Sequence, residues 1–218
     1  MTNHTSSEPR ADTRLYQAVH RAFRLATTRL VDATEKLEPS ALQPIIGKRW
    51  TFYETVLHQH HHDEDASVFP ALLVVRPDLQ ALVEQLEDDH RQLIPTMDMV
   101  SAAVTAFDAE PDPVHQTTLH DGLTSLRDLF FPHLDVEDAQ ILPACGESIP
   151  PTEWERIDQA ALKSIPREHL PHAIASLDEV IRGLPEDERP LPPPLPIRLM
   201  LAVSWRRRWT QWWKPLLS

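Results

Sequence analysis

Apolar positions in this chain return at intervals of three and four over long stretches rich in Leu, Ala, Glu and Arg, and no alternating β-branched run stands out. That pattern predicts amphipathic helices. A first helix is expected over about 13–36, closed by Glu38-Pro39 before a loop that ends near Trp50. A second is expected over about 51–75, passing Pro70 and ending at Arg76-Pro77. A third, over about 78–109, should bend at Pro95, because proline removes a backbone donor and clashes with the preceding turn. A fourth covers about 113–145. Short connections between long helices favour antiparallel neighbours, so the expected fold is all-α, an up-down four-helix bundle.

Beyond Pro150-Pro151 the pattern changes. Two shorter helices, over about 152–164 and 168–183, precede the spacer Pro190-Leu-Pro-Pro-Pro-Leu-Pro196 and a last helical stretch over 197–214. In that stretch Leu201, Trp205, Trp209 and Trp212 fall at spacings of four, four and three, beside Arg206-Arg207-Arg208. Such a stripe either packs, on the bundle or in a self-association interface, or lies at a membrane surface as a peripheral helix. The chain therefore divides into a flexible N-terminus (1–12), the bundle (13–147) and a helical C-terminal extension (148–218).

A length of 218 residues suffices for one good-sized core, or one domain with an appendage. Proline, at 21 residues, is too frequent for one uninterrupted bundle and clusters between segments, as turns require. The formal net charge of -12 argues against a nucleic-acid partner, whose backbone needs the opposite sign. Cys145 is the only cysteine, which excludes an intrachain disulfide and a cysteine-based zinc cluster. With a polar start lacking an apolar signal core, and no run long enough to span a bilayer, a cytoplasmic setting is expected. Twelve histidines are the anomaly.

Two segments nearly repeat each other. His60-His-His-Asp-Glu64-Asp65-Ala-Ser-Val-Phe69-Pro70 and His133-Leu-Asp-Val-Glu137-Asp138-Ala-Gln-Ile-Leu142-Pro143 share the pattern His-x-x-x-Glu-Asp-Ala-x-apolar-apolar-Pro. A spacing of four puts His and Glu on one helix face, a turn apart, where imidazole and carboxylate can reach the same ion. Leu126, Leu129, Phe130 and Ile141 share the face of His133, and Tyr53, Val56, Leu57 and Val68 that of His60. Each pair thus sits inside the apolar stripe of its helix, where an ionised carboxylate is costly unless paired or bound to a metal. His90 lies on the core face of the third helix with Val83, Leu86, Leu93, Ile94 and Met97, and His20 on the first with Tyr16 and Phe23. One buried histidine is ordinarily a hydrogen-bonded core residue. Four helices each bringing one to core register, two with a glutamate, point to metal binding instead. His20, His60, Glu64, His90, His133 and Glu137 are too many for one tetrahedral zinc site, and the mixture of imidazole and carboxylate suits non-haem iron, with manganese or zinc as substitutes.

With these residues in view, the chain resembles the hemerythrin-like, His-His-Glu cation-binding family. The resemblance is carried by His20 in Val-His-Arg-Ala-Phe-Arg, the His60-His61-x-x-Glu64-Asp65 block with Phe69-Pro70, His90 in Asp-Asp-His, and His133-x-x-x-Glu137, and covers roughly 13–145. It implies a four-helix bundle around two non-haem iron ions in a bridged di-iron centre that handles dioxygen, peroxide or nitric oxide. There are departures. Oxygen-carrying members offer two histidines four apart on the third helix, whereas Ile94 and Leu86 flank His90 at that spacing. The carriers' final carboxylate also follows at a longer interval than Glu137 does. An open coordination position favours reaction with a small ligand over reversible carriage. His61 either binds an ion directly or stands behind the ligands with Asp65 and Asp138 as hydrogen-bond partners. Two functions follow as expectations: a redox-active protein that senses a diatomic ligand or consumes peroxide in a catalase-like way, or a module that binds or stores oxygen or iron without turnover. A metal site that merely stabilises the scaffold is a third.

Overall fold

The computed structural model describes residues 10–216, and these form helices with no strand among them. Residues 1–9, most of the expected N-terminal arm, lie outside the described residues. Ala11 is buried, and its amide donates to the Gly146 carbonyl.

Helix α1 (Arg14–Lys36) buries Tyr16, His20, Phe23, Thr27, Leu30, Val31 and Thr34, a stripe at helical spacing. Helix α2 (Pro39–Asp63) starts where a loop was expected. Pro39 suits the first turn, where its missing amide hydrogen costs nothing. The next three turns bury Leu42, Ile46, Arg49 and Trp50, so tertiary burial overrides the proline signal at Pro44.

Beyond Asp63 the helix widens for one turn, Glu64–Val68, before α3 (Phe69–Val75). There the Phe69 amide reaches back five residues to the Glu64 carbonyl. After α4 (Gln80–Ala109), helix α5 (Pro113–Val136) repeats the device. Its widened turn, Glu137–Ile141, ends with the Leu142 amide on the Glu137 carbonyl and leads into α6 (Leu142–Ser148). Pro70 and Pro143 follow one residue after each bond. A proline ring clashes with the carbonyl four residues back, and one extra residue in the turn relieves that clash. Widened turns of this kind collect at functional sites.

The long helices run antiparallel to their neighbours. Gln116, near the start of α5, donates to the Thr34 and Leu37 carbonyls at the end of α1, while Asp135 near the end of α5 pairs with Arg24. Between α2 and α4, Gln43 bonds Asp108 and Trp50 bonds Ser101. Thr27 on α1 meets the Tyr53 hydroxyl on α2 at 2.6 Å. A β-carbon at Gly122 would stand 3.3 Å from Val100, so glycine permits the close approach of α5 to α4. Two residues placed on the core face by spacing, Leu129 and Ile94, are exposed. They sit at the edges of their stripes, where no neighbouring helix covers them.

Helices α7 (Pro151–Ser164), α8 (Leu170–Gly183), α9 (Leu195–Met200) and α10 (Arg206–Trp213) form the extension, with α8 against α1 and α10 against α8. The tryptophan stripe packs inward along Leu201, Trp209 and Trp213, whereas Trp205 and Trp212 are only partly buried. A third widened turn, Leu201–Trp205, shifts the register by one residue and accounts for the difference. No helix among the described residues is long and apolar enough to cross a membrane.

Candidate metal centre

All seven candidate residues, six from spacing (His20, His60, Glu64, His90, His133 and Glu137) and His61 from the family resemblance, are buried and meet at one end of the long helices. Helix α1 supplies His20, α2 supplies His60 and His61, α4 supplies His90 and α5 supplies His133. The glutamates open the two widened turns. The ligand atoms fall into two groups, each within 4.8 Å: His61, Glu64, His90 and His133 in one, and His20, His60, Glu64 and Glu137 in the other.

Glu64 belongs to both groups. Its Oε1 stands 3.3 Å from His60 Nε2 and 3.9 Å from His20 Nε2, whereas its Oε2 faces His90 Nε2 at 3.5 Å. Glu137 likewise spans the two, with Oε2 at 3.6 Å from His20 Nε2 and 3.4 Å from His133 Nε2. His90 and His133 point their Nε2 atoms at each other across 3.2 Å, and His61 stacks on His90 with ring centroids 4.3 Å apart.

Two of the outer nitrogens are tied down. His20 Nδ1 donates to Asp138 at 2.7 Å, and His90 Nδ1 donates to Asp65 at 2.8 Å. Each repeat thus uses its aspartate to orient a histidine from a different helix, leaving that ring's Nε2 for the interior. These aspartates are therefore not partners of His61. Asp89 lies 3.6 Å from His133 Nδ1.

Burial, followed by the charges of neighbouring histidines, lowers His60 and His61 well below the ordinary imidazole range, so both rings are neutral with a free lone pair. Burial opposes the charged form of His20 too, but the hydrogen bond to Asp138 and the nearby carboxylates of Glu64 and Glu137 outweigh it and carry that ring up to about 10. Glu64 is raised to about 7 by burial and by Glu137. In Glu137 burial is outweighed by His133, with His20 and His60 adding, and the carboxyl falls to about 2.

A metal fits this donor set on one observation above all. His20 Nε2, His60 Nε2, His61 Nε2, Glu64 Oε2 and both Glu137 oxygens are buried without any hydrogen-bond partner. Buried polar atoms are rarely left so, and unpaired groups in a cluster of imidazole and carboxylate call for an ion.

Two participants were not singled out by spacing. The Tyr16 hydroxyl is buried without a partner, its ring 5.5 Å from that of His20, 5.3 Å from His60 and 5.7 Å from Trp154. Burial and then the charge of Glu64 hold this phenol well above its usual range, so it keeps its proton. Its signal was its place one turn before His20 on the same face. Asp89 adjoins His90 in sequence but faces His133 Nδ1, short of a hydrogen bond, a placement that no local pattern marks.

A family model described as hemerythrin HHE cation binding domain matches residues 12–145, a span that contains all seven residues and both widened turns next to the glutamates. No curated protein and no solved structure matches the chain.

Proposed function

The chain belongs to the hemerythrin HHE cation-binding family, and on that premise we propose that α1, α2, α4 and α5 form an up-down bundle around two non-haem iron ions that react with or sense peroxide, dioxygen or nitric oxide. The observation that carries this reading is Glu64, whose two oxygens face different histidines: Oε1 toward His20 and His60, Oε2 toward His90. A carboxylate so placed could serve two ions. His20, His60 and Glu137 would hold one, and His61, His90 and His133 the other. Bound iron would supply the redox and ligand-binding chemistry.

The protein's own contribution is position, polarity and a proton. Asp138 and Asp65 aim two rings, and buried Leu86, Phe69 and Phe130 keep the surroundings apolar. The Tyr16 hydroxyl holds a proton beside Glu64 and can donate it as a hydrogen bond to a small ligand. Seven side chains are fewer than two ions can take, which leaves room for that ligand and favours reactivity over storage. A cytoplasmic setting goes with this reading, supported by a single, buried cysteine, Cys145.

Elemental analysis of the chain loaded with ferrous iron under anaerobic conditions tests the proposal. About two irons per chain are expected, falling in His60→Ala and in His133→Ala. The loaded protein should then consume peroxide or change its visible spectrum with nitric oxide. Metal at background level would remove the reading. Two irons with no response to any oxidant would favour storage.

A further inference from the structure

The C-terminal extension forms a partly open cavity of about 110 Å³ against α1 and α2. Phe23 and Phe52, Tyr53 and Val56 wall it from the bundle side, and Ala173 on α8 and Trp209 on α10 from the other. The last two lie beyond the residues matched by the family model, so this enclosure is built by the extension. His60 forms part of the lining, its ring 5.0 Å from that of Phe23, while its Nε2 faces Glu64 in the candidate metal centre.

Most polar groups of the lining are already committed, the Ser176 hydroxyl and the outer nitrogen of His60 excepted. The Tyr53 hydroxyl is bonded to Thr27, and the Trp209 indole donates to Glu179 at 2.6 Å. At the rim Gln59 donates to Asp63, whose second oxygen accepts from Ser164 at 2.8 Å. What faces the space is therefore mostly ring and methyl surface. A charged or strongly hydrogen-bonding ligand would find few partners, and so would water. Apolar cavities of about 150 Å³ stay dry and accept benzene or xenon, and this one is of that order. Four aromatic rings in the lining favour an aromatic guest through edge and offset contacts.

We propose that this cavity binds a small, uncharged, monocyclic aromatic molecule and that its occupancy is felt at His60. Binding itself stands apart from the iron reading. Only the consequence for the metal centre rests on it, because the guest touches the ring that would hold an ion.

The test is a titration of the metal-free full chain with fluorobenzene, followed by ¹⁹F NMR and by the ring signals of ¹⁵N-labelled histidine. A saturable ¹⁹F response with a concerted shift of the His60 ring is expected. Ala173→Phe fills the space from the extension and should weaken binding by about tenfold or more, with circular dichroism and iron stoichiometry unchanged. Val56→Phe, from the opposite wall, serves the same purpose should the first variant fold poorly. No saturation up to the solubility of fluorobenzene, or equal affinity in a folded filled variant, would overturn the site. Binding that leaves the His60 ring unmoved would overturn the coupling. Failure to take up iron with fluorobenzene binding intact would remove the di-iron reading and leave the cavity proposal standing.

Discussion

Asp138 and Asp65 each accept a hydrogen from a ring on another helix, at 2.7 Å from His20 and 2.8 Å from His90. Such bonds fix the tautomer and the ring orientation, and they raise the basicity of the inward nitrogen. Asp138→Ala should therefore lower iron affinity by about ten- to a hundredfold with helicity intact. Competition against a chelator of known affinity reads this directly, and unchanged affinity would show that packing alone aims His20. Six of the seven buried histidines and glutamates were legible in the sequence because His-x-x-x-Glu recurs, and His20 and His90 stand, at core register, whereas His61 came only with the family resemblance. The partners of Asp65 and Asp138 were not legible. Both stand inside their own repeat and were offered to His61 only as one of two alternatives, but the rings that reach them arrive from α1 and α4 through tertiary packing. Tyr16 read only as a core aromatic beside His20, since sequence says nothing of a hydroxyl left without a partner.

Among the elements, two adjacent carboxylates on α8 tie the extension together, and one of them also holds it to the bundle. Glu179 takes both arms of Arg29 from α1 and the Trp209 indole from α10, while Asp178 takes both arms of Arg206. Burial opposes ionisation of both groups, but these donors win, and both carboxyls lie below their ordinary values. A depressed carboxyl stabilises the fold fully above its unfolded value and loses that contribution as pH falls through its folded value. The packing of α10 should accordingly weaken below about pH 4, seen as a change in tryptophan emission that Glu179→Gln diminishes. An acid titration with the same emission step in the variant would place the linkage elsewhere. The existence of α7, α8 and the last helical stretch was legible from periodicity and the proline spacer. The three widened turns and the start of α2 at Pro39 were not, because proline signals a break locally while the register that accommodates it is set by burial on both sides.

At the scale of the whole molecule, four helices converge on a cluster whose inward atoms have no protein partner, so metal binding and stability are linked. At a free metal concentration of one hundred times the dissociation constant, a single site adds about 2.7 kcal/mol to unfolding, and the melting temperature should climb with ferrous iron and fall on chelation. That result alone would not separate a centre built for metal from a fold that tolerates one. Glu64 separates them. In the metal-free chain it is a buried carboxyl among histidine rings and near Glu137, raised to about 7, with Oε2 unpaired. Replacing a buried, poorly satisfied charge with an apolar side chain of similar volume is often neutral or stabilising. Glu64→Met should therefore leave the metal-free melting temperature unchanged or raise it, by the equivalent of about 1 kcal/mol, while abolishing most of the increase given by iron. The two effects have opposite signs in one variant, a combination that general damage to the core cannot mimic. A fall in metal-free stability would mean instead that Glu64 is retained for its contacts with His60 and His90, and that the metal is incidental to the architecture.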